Sequence, residues 1–246
     1  MIGIVVVSHS PALARAAVDL ALEMVGDAPP SIALAAGAGD DESGAAIIGT
    51  DATRVSDAID EVASPDGVLV LMDLGSAVLS AEMALEFASA TCEVRLSDAP
   101  FVEGLVAAVV LAAAGASLDD VAREASGAME AKRGQLGTAR PAESSPPPAV
   151  QTPVIQSPDA AADVTLVNAD GLHARPAATL VKAVSAFDAT VTITAPGRAP
   201  ISASSLIAVL SFGAAKGTVL RVEATGPQAS EAVEAVRAMA ADGFGE

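Results

Sequence analysis

The stretch KRGQLGTARPAESSPPPAVQTPVIQSPD, at about 133 to 160, most limits what this chain can fold into. Proline recurs through it and neither a helical nor an alternating apolar period survives, so it reads as an extended, partly polyproline linker. It divides the 246 residues into a first domain over 1–132 and a second over 161–246. An apolar fraction of 52% leaves each part enough material for a core. Acidic residues outnumber basic ones 21 to 6 over 1–135 but only 9 to 6 over 159–246, so the two parts are different objects.

The first part alternates short apolar runs with longer amphipathic ones: IGIVVV, PALARAAVDLALEMV, SIALAAG, GTDATRVSDAIDEVA, GVLVLMDL, SAVLSAEMALEFA, CEVRLS, APFVEGLVAAVVLAAAG and SLDDVAREASGAM. Strands that are apolar on both faces and separated by helices predict an α/β domain, a mainly parallel sheet flanked by helices. In such sheets sites form at the carboxyl ends of strands. His9, Asp73 in MDLGS, and the Gly37 and Gly39 turn all fall there. The second part reads DVTLVN, helix RPAATLVKAVSAF, strand TVTITA, turn PGRAP, short helix SSLIAVLSF, strand TVLRVEA and helix QASEAVEAVRAMA. The clean alternation of TVTIT leaves one sheet face in solvent, which predicts an antiparallel sheet covered on its other face, a small α+β open-faced sandwich.

Composition removes several function classes. A net charge of −18 disfavours nucleic acid and anionic membranes, whose phosphates need clustered Lys and Arg. Without Trp or Tyr, stacking platforms are absent as well. No run of about 18 apolar residues and no Lys/Arg-led leader occurs, and lone Cys92 forms no internal disulfide, so the expectation is a cytoplasmic protein with a buried structural thiol in a strand. The loop AGAGDDESG lacks the third glycine of a dinucleotide fold and carries Asp40, Asp41 and Glu42 where a pyrophosphate would sit. It reads as a flexible surface loop. With no GxxxxGK[ST] motif either, neither part is expected to bind a nucleotide, and no cofactor is expected.

The chain has two histidines, and both occupy the same kind of place. His9 follows a strand and precedes Pro11; His173 follows a strand and precedes Pro176. Proline belongs in a helix's first turn, where free N–H groups and the positive end of the helix dipole make an anion site. A neutral imidazole there is a nucleophile whose captured phosphoryl group comes to rest on that site. Arg175 is placed to add a charge-assisted contact. Asp73 either orients His9 or belongs to a helix start. Ser10 and Thr50 are either phosphate donors or caps, and Ser205 is by default an N-cap. Two isolated histidines do not make a metal site.

The segment NADGLHARPAATLVKAVSAFDATVTI, followed by SASSLIAVLSFG, resembles the histidine-containing phosphocarrier (HPr) family of the phosphoenolpyruvate-dependent phosphotransferase system over nearly all of 160–246. That resemblance implies that His173 carries the phosphoryl group, supported by Arg175, and puts Ser205 at a regulatory serine position, although Ser204 stands where a lysine is expected. The segments VVVSHSPALA, IGTDATRVSDAI, GVLVLMDLGSAVLSAEMALE and DAPFVEGLVAAVVLAAAG resemble the phosphotransfer subunits of dihydroxyacetone kinases, built like mannose-family enzyme IIA domains. This implies that His9 is phosphorylated beside Asp73 and that the domain forms a homodimer. Ser-His-Ser and Leu-Gly-Ser replace the His-Gly pair and Gly-Gly-Ser loop of sugar-transporting relatives, favouring the dihydroxyacetone branch. The implied function is a phosphohistidine relay from enzyme I through His173 and His9 to ADP on the nucleotide-binding kinase subunit, which works with a dihydroxyacetone-binding subunit. Alternatives are a mannose-family sugar-permease IIA component and a regulatory sensor of phosphorylation state.

Overall fold

The computed structural model describes residues 1–25, 28–136, 158–169 and 171–245. The first half runs β1 (Gly3–Ser8), α1 (Pro11–Leu22), β2 (Ile32–Ala36), α2 (Ala52–Val62), β3 (Val68–Met72), α3 (Gly75–Phe87), β4 (Val94–Leu96), α4 (Phe101–Ala113), α5 (Leu118–Gly127) and α6 (Met129–Gln135). Its strands lie in the order β2-β1-β3-β4 with every pairing parallel, so the α/β reading of the sequence holds. Every residue of β1 and β3 is buried, as strands covered on both faces must be. Side-chain alternation splits them between two cores. Ile2, Ile4, Val6, Leu69 and Leu71 pack with α1, α4 and α5, while Val5, Val7, Val68, Val70 and Met72 pack with α2 and α3.

The second half runs β5 (Ala160–Thr165), α7 (Ala174–Val184), β6 (Thr190–Thr194), β7 (Ile201–Ser202), α8 (Leu206–Phe212), β8 (Val219–Thr225) and α9 (Ala229–Ala241), with a 3-10 turn at Gly243–Gly245. The order β5-β8-β6-β7 is antiparallel throughout. Val164, Val191, Ile193, Leu220 and Val222 are buried with helix residues such as Leu180, Val181 and Val236, which is the predicted open-faced α+β arrangement. This buried cluster is continuous with the α1–α4–α5 core of the first half.

Several local expectations need correction. The last helical run read from the sequence ends at Met129, but a further short helix, α6, carries on to Gln135, inside the stretch read as linker; the Glu130–Arg133 pair supports its exposed face. The rest of that stretch, 137–157, lies outside the described residues. Cys92 precedes β4 instead of lying within it and is half-buried, because pairing with β3 begins only at Val94. The acidic loop is organised, not flexible: the Asp41 carboxylate accepts from the Ser43 and Ala45 N–H groups and the Ser43 hydroxyl at 2.8, 3.0 and 2.6 Å, and Asp40 bridges Ala46. An Asp side chain bonding its own turn is a familiar way to order such a loop.

Candidate phosphotransfer sites

Parallel register creates the first site. Val7 pairs with Met72, so Ser8 at the end of β1, His9 just after it and Asp73 just after β3 emerge side by side at the carboxyl end of the sheet. Asp73 is the hub. Its Oδ2 accepts from the His9 backbone N–H at 2.8 Å and the Ser8 hydroxyl at 2.9 Å, and its Oδ1 lies 2.9 Å from His9 Nδ1. Of the two readings left open for Asp73, the orienting contact is the one present. The Asp73 side chain is 6% exposed. Burial pushes its pKa up, but hydrogen bonds from the His9 ring, the His9 N–H and the Ser8 hydroxyl outweigh that and hold it below the ordinary value.

With Nδ1–H given to the carboxylate, Nε2 keeps its lone pair. That nitrogen lies 2.8 Å from the Ser76 hydroxyl, in the first turn of α3. The N-cap residue of α3, Leu74, offers no side-chain bond to the first-turn N–H groups. The start of α1 is different. Ser10 caps it by accepting from Leu13 N–H at 3.3 Å, and Pro11 has no N–H to give. The helix start beside Nε2 is that of α3, which has no side-chain cap, whereas the start of α1, expected from the sequence to hold an anion, has one N–H taken by Ser10. Ser10 is a cap here. Thr50 lies close by, since Gly49 N–H donates to the His9 carbonyl at 3.1 Å, but its hydroxyl pairs with Ser80 at 2.7 Å.

Two residues that sequence reasoning passed over complete this site. Ser8 is fully buried, the polar last residue of an otherwise apolar strand, and that oddity was its signal. Ser76 was visible only as part of DLGS; its pairing with His9, 67 residues away, required the sheet.

The second site is a helix start. His173 is the N-cap residue of α7 with extended backbone, and Pro176 falls in the first turn. Gly171, at φ +67°, lets the preceding turn press on the loop after α8; a Cβ there would lie 2.1 Å from the Ala214 carbonyl. A cavity of about 370 Å³ beside the ring is lined by Leu172, His173, Ala174, Leu210, Gly213, Ala214 and Ala215. Arg175 is exposed and its guanidinium reaches Glu23, just past α1, at 3.2 Å. Ser205 caps α8 by accepting from Ala208 N–H at 3.1 Å, and its hydroxyl donates to Glu124 in α5. Among the described residues no three His, Cys, Asp or Glu side chains cluster to hold a metal, and no helix is long and apolar enough to cross a membrane.

Known proteins fit this geometry. Residues 160–242 match the family described as "PTS HPr component phosphorylation site", and the phosphocarrier protein HPr of Vibrio cholerae is 49% identical over 71 residues, 29% of this chain and 82% of that protein. The chain belongs to the HPr phosphocarrier family. Ahead of its phosphocarrier region, residues 3–122 match the family described as "PTS system fructose IIA component". Full-chain relatives are named "PEP-dependent dihydroxyacetone kinase, phosphoryl donor subunit DhaM": the protein of Klebsiella michiganensis is 40% identical over 248 residues and that of Escherichia coli K12 is 41% identical over 249. Each match covers 100% of this HPr-family chain and 51% of the relative, so the chain spans about half the length of these relatives.

Proposed function

We propose that the chain is a cytoplasmic phosphohistidine relay, taking a phosphoryl group from phosphoenolpyruvate-charged enzyme I onto His173 and passing it through His9 to ADP held on the nucleotide-binding subunit of a dihydroxyacetone kinase. A dihydroxyacetone-binding subunit then completes the reaction, and a homodimer through the IIA half is part of the reading. The working units are residues 1–132 and 161–246, joined by 133–160. Full-chain relatives named phosphoryl donor subunits support the choice of acceptor.

The observation that carries the reading is the Asp73–His9–Ser76 line, with Nδ1 held by a carboxylate and Nε2 aimed at an open helix start. In the transfer step the Nε2 lone pair attacks phosphorus in line. The bond from phosphorus to the His173 ring nitrogen breaks, and its electron pair returns to that ring. Positive charge building on the His9 ring is met by the Asp73 carboxylate, while the Ser76 hydroxyl and the α3 N–H groups receive the phosphoryl oxygens. Arg175 serves the same oxygens on His173 once it leaves Glu23. Beyond the two nucleophilic rings, the protein supplies position and anion stabilisation with little other chemistry.

The test combines phosphoenolpyruvate, enzyme I, this chain and both kinase subunits, and measures conversion of bound ADP to ATP. Conversion that depends on His9 supports the reading. If ADP is never converted, or if His9→Ala converts it as well as the wild type, the reading is wrong.

A further inference from the structure

The second half is docked against the end of α1 that lies away from His9. Arg175, two residues from His173, is tied to Glu23 at the C-terminal end of α1, whereas His9 precedes that helix's N-terminal end. Twelve helical residues separate the two ends, about 18 Å at 1.5 Å per residue, and in-line transfer needs the reacting atoms about 3–3.5 Å apart. Each site is also built from residues of its own half. The cavity beside His173 is lined from the second half alone, and His9 lies between Asp73 and Ser76 of the first.

What holds the halves together is specific. Glu124 Oε1 accepts from Ile207 N–H at 2.7 Å, and the Ser205 hydroxyl lies 2.9 and 3.1 Å from the two carboxylate oxygens. Leu206, Ile207 and Leu210 of α8 face Leu20 of α1 and Val102 and Val106 of α4. Packing there is incomplete. Those side chains line a cavity of about 330 Å³, and a polar one of about 450 Å³ opens around Asp120, Arg123, Glu124, Ser202, Ser204 and Ser205. Both clefts run along the seam between the halves, so part of the facing surface there is left without a partner. Leu210 lines both the interface cavity and the one beside His173, so docking also covers one flank of the approach to that ring.

We infer that the Glu124 clasp on α8 holds the chain in a docked, transfer-silent state, and that the phosphocarrier half must leave it before His173 can meet His9. The surface α8 presents is thus an interaction surface whose resident occupant is the chain's own IIA half. The inference rests on the relay reading above.

The test uses the full-length chain with Glu124→Gln and, separately, Glu23→Gln, neither of which touches a histidine site in the first half. Radius of gyration is measured by small-angle X-ray scattering. Arrival of phosphate at His9 is measured after His173 is loaded with phosphoenolpyruvate and enzyme I. Loss of the charged clasp is expected to enlarge the radius and to speed arrival at His9 about tenfold, because the open population grows as docking weakens. The Glu23 variant, with only an exposed ion pair lost, should change both in the same direction and by less. An unchanged radius for Glu124→Gln overturns the clasp, and a larger radius with arrival no faster overturns the silent state. If neither wild type nor variant ever phosphorylates His9, the relay reading itself has failed and the silent state falls with it.

Discussion

The two histidines stand at chain positions that look alike and yet are built differently. His9 is fixed: three donors converge on Asp73, both ring nitrogens have partners, and the surrounding strands are buried along their whole length. His173 sits at the rim of a helix start beside an open cavity, with an exposed arginine two residues on. In the proposed relay His173 must reach a separate donor protein and then His9, which suits a ring at the rim of a small half. A group that receives phosphate from a tethered donor benefits from being held in one tautomer and one orientation. The difference teaches that two histidines at similar strand-to-helix joints can be built into unlike sites.

The largest expected break in this comparison is loss of either ring. His9→Ala stops passage of phosphate to ADP altogether, and added free HPr does not restore it. His173→Ala also stops it, but free HPr does restore it, because a separate phosphocarrier can load His9 directly. Failure of that rescue would show that His173 does more than donate.

Asp73→Asn comes next. It keeps the shape but no longer enforces Nδ1–H, so phosphorylation of His9 should slow by about 10²–10⁴-fold while loading of His173 is unchanged, as radiolabel on each site would report. The same residue sets a pH dependence. Its folded pKa is below the ordinary 3.8, so its stabilising contacts are complete above that value and fade as pH falls through the folded one. Wild-type acid unfolding should therefore steepen below about pH 4, and the variant's profile should be flatter in that window.

Smaller effects sharpen the contrast. Ser8→Ala removes a buried donor to a carboxylate and should cost about 1.5–3 kcal/mol of stability in chemical denaturation, felt at the His9 site and not at His173. Thr50→Val should leave His9 phosphorylation within about twofold, because its hydroxyl bonds Ser80 and losing one part-buried hydrogen bond is worth only about 0.5–1.5 kcal/mol of stability. A large loss of transfer in Thr50→Val would mean that this hydroxyl turns to the phosphoryl group.

Much of this could be read along the chain. Apolar runs of period one, alternation in TVTIT and proline-led helices are local signals, and they located both sheets and both histidines. The start of β4 was placed too early, at Cys92, because strand length depends on which neighbour supplies hydrogen bonds, and β3 pairs only from Val68 onward, opposite Val94. The acidic loop looked flexible because Asp41's bonds to its own turn depend on a conformation that composition does not encode.

The sequence by itself determined the element types, the place of His9 and His173 at strand-to-helix joints, and the likeness to phosphotransfer families, since each rests on residues close together in the chain. Only tertiary structure decided that Asp73 orients His9, that Ser76 and α3 rather than Ser10 and α1 face Nε2, and that Glu124 clasps Ser205. Those pairs are 64, 67 and 81 residues apart. The register of parallel strands and the packing of one half on the other are sums over many distant contacts, and no local period records them.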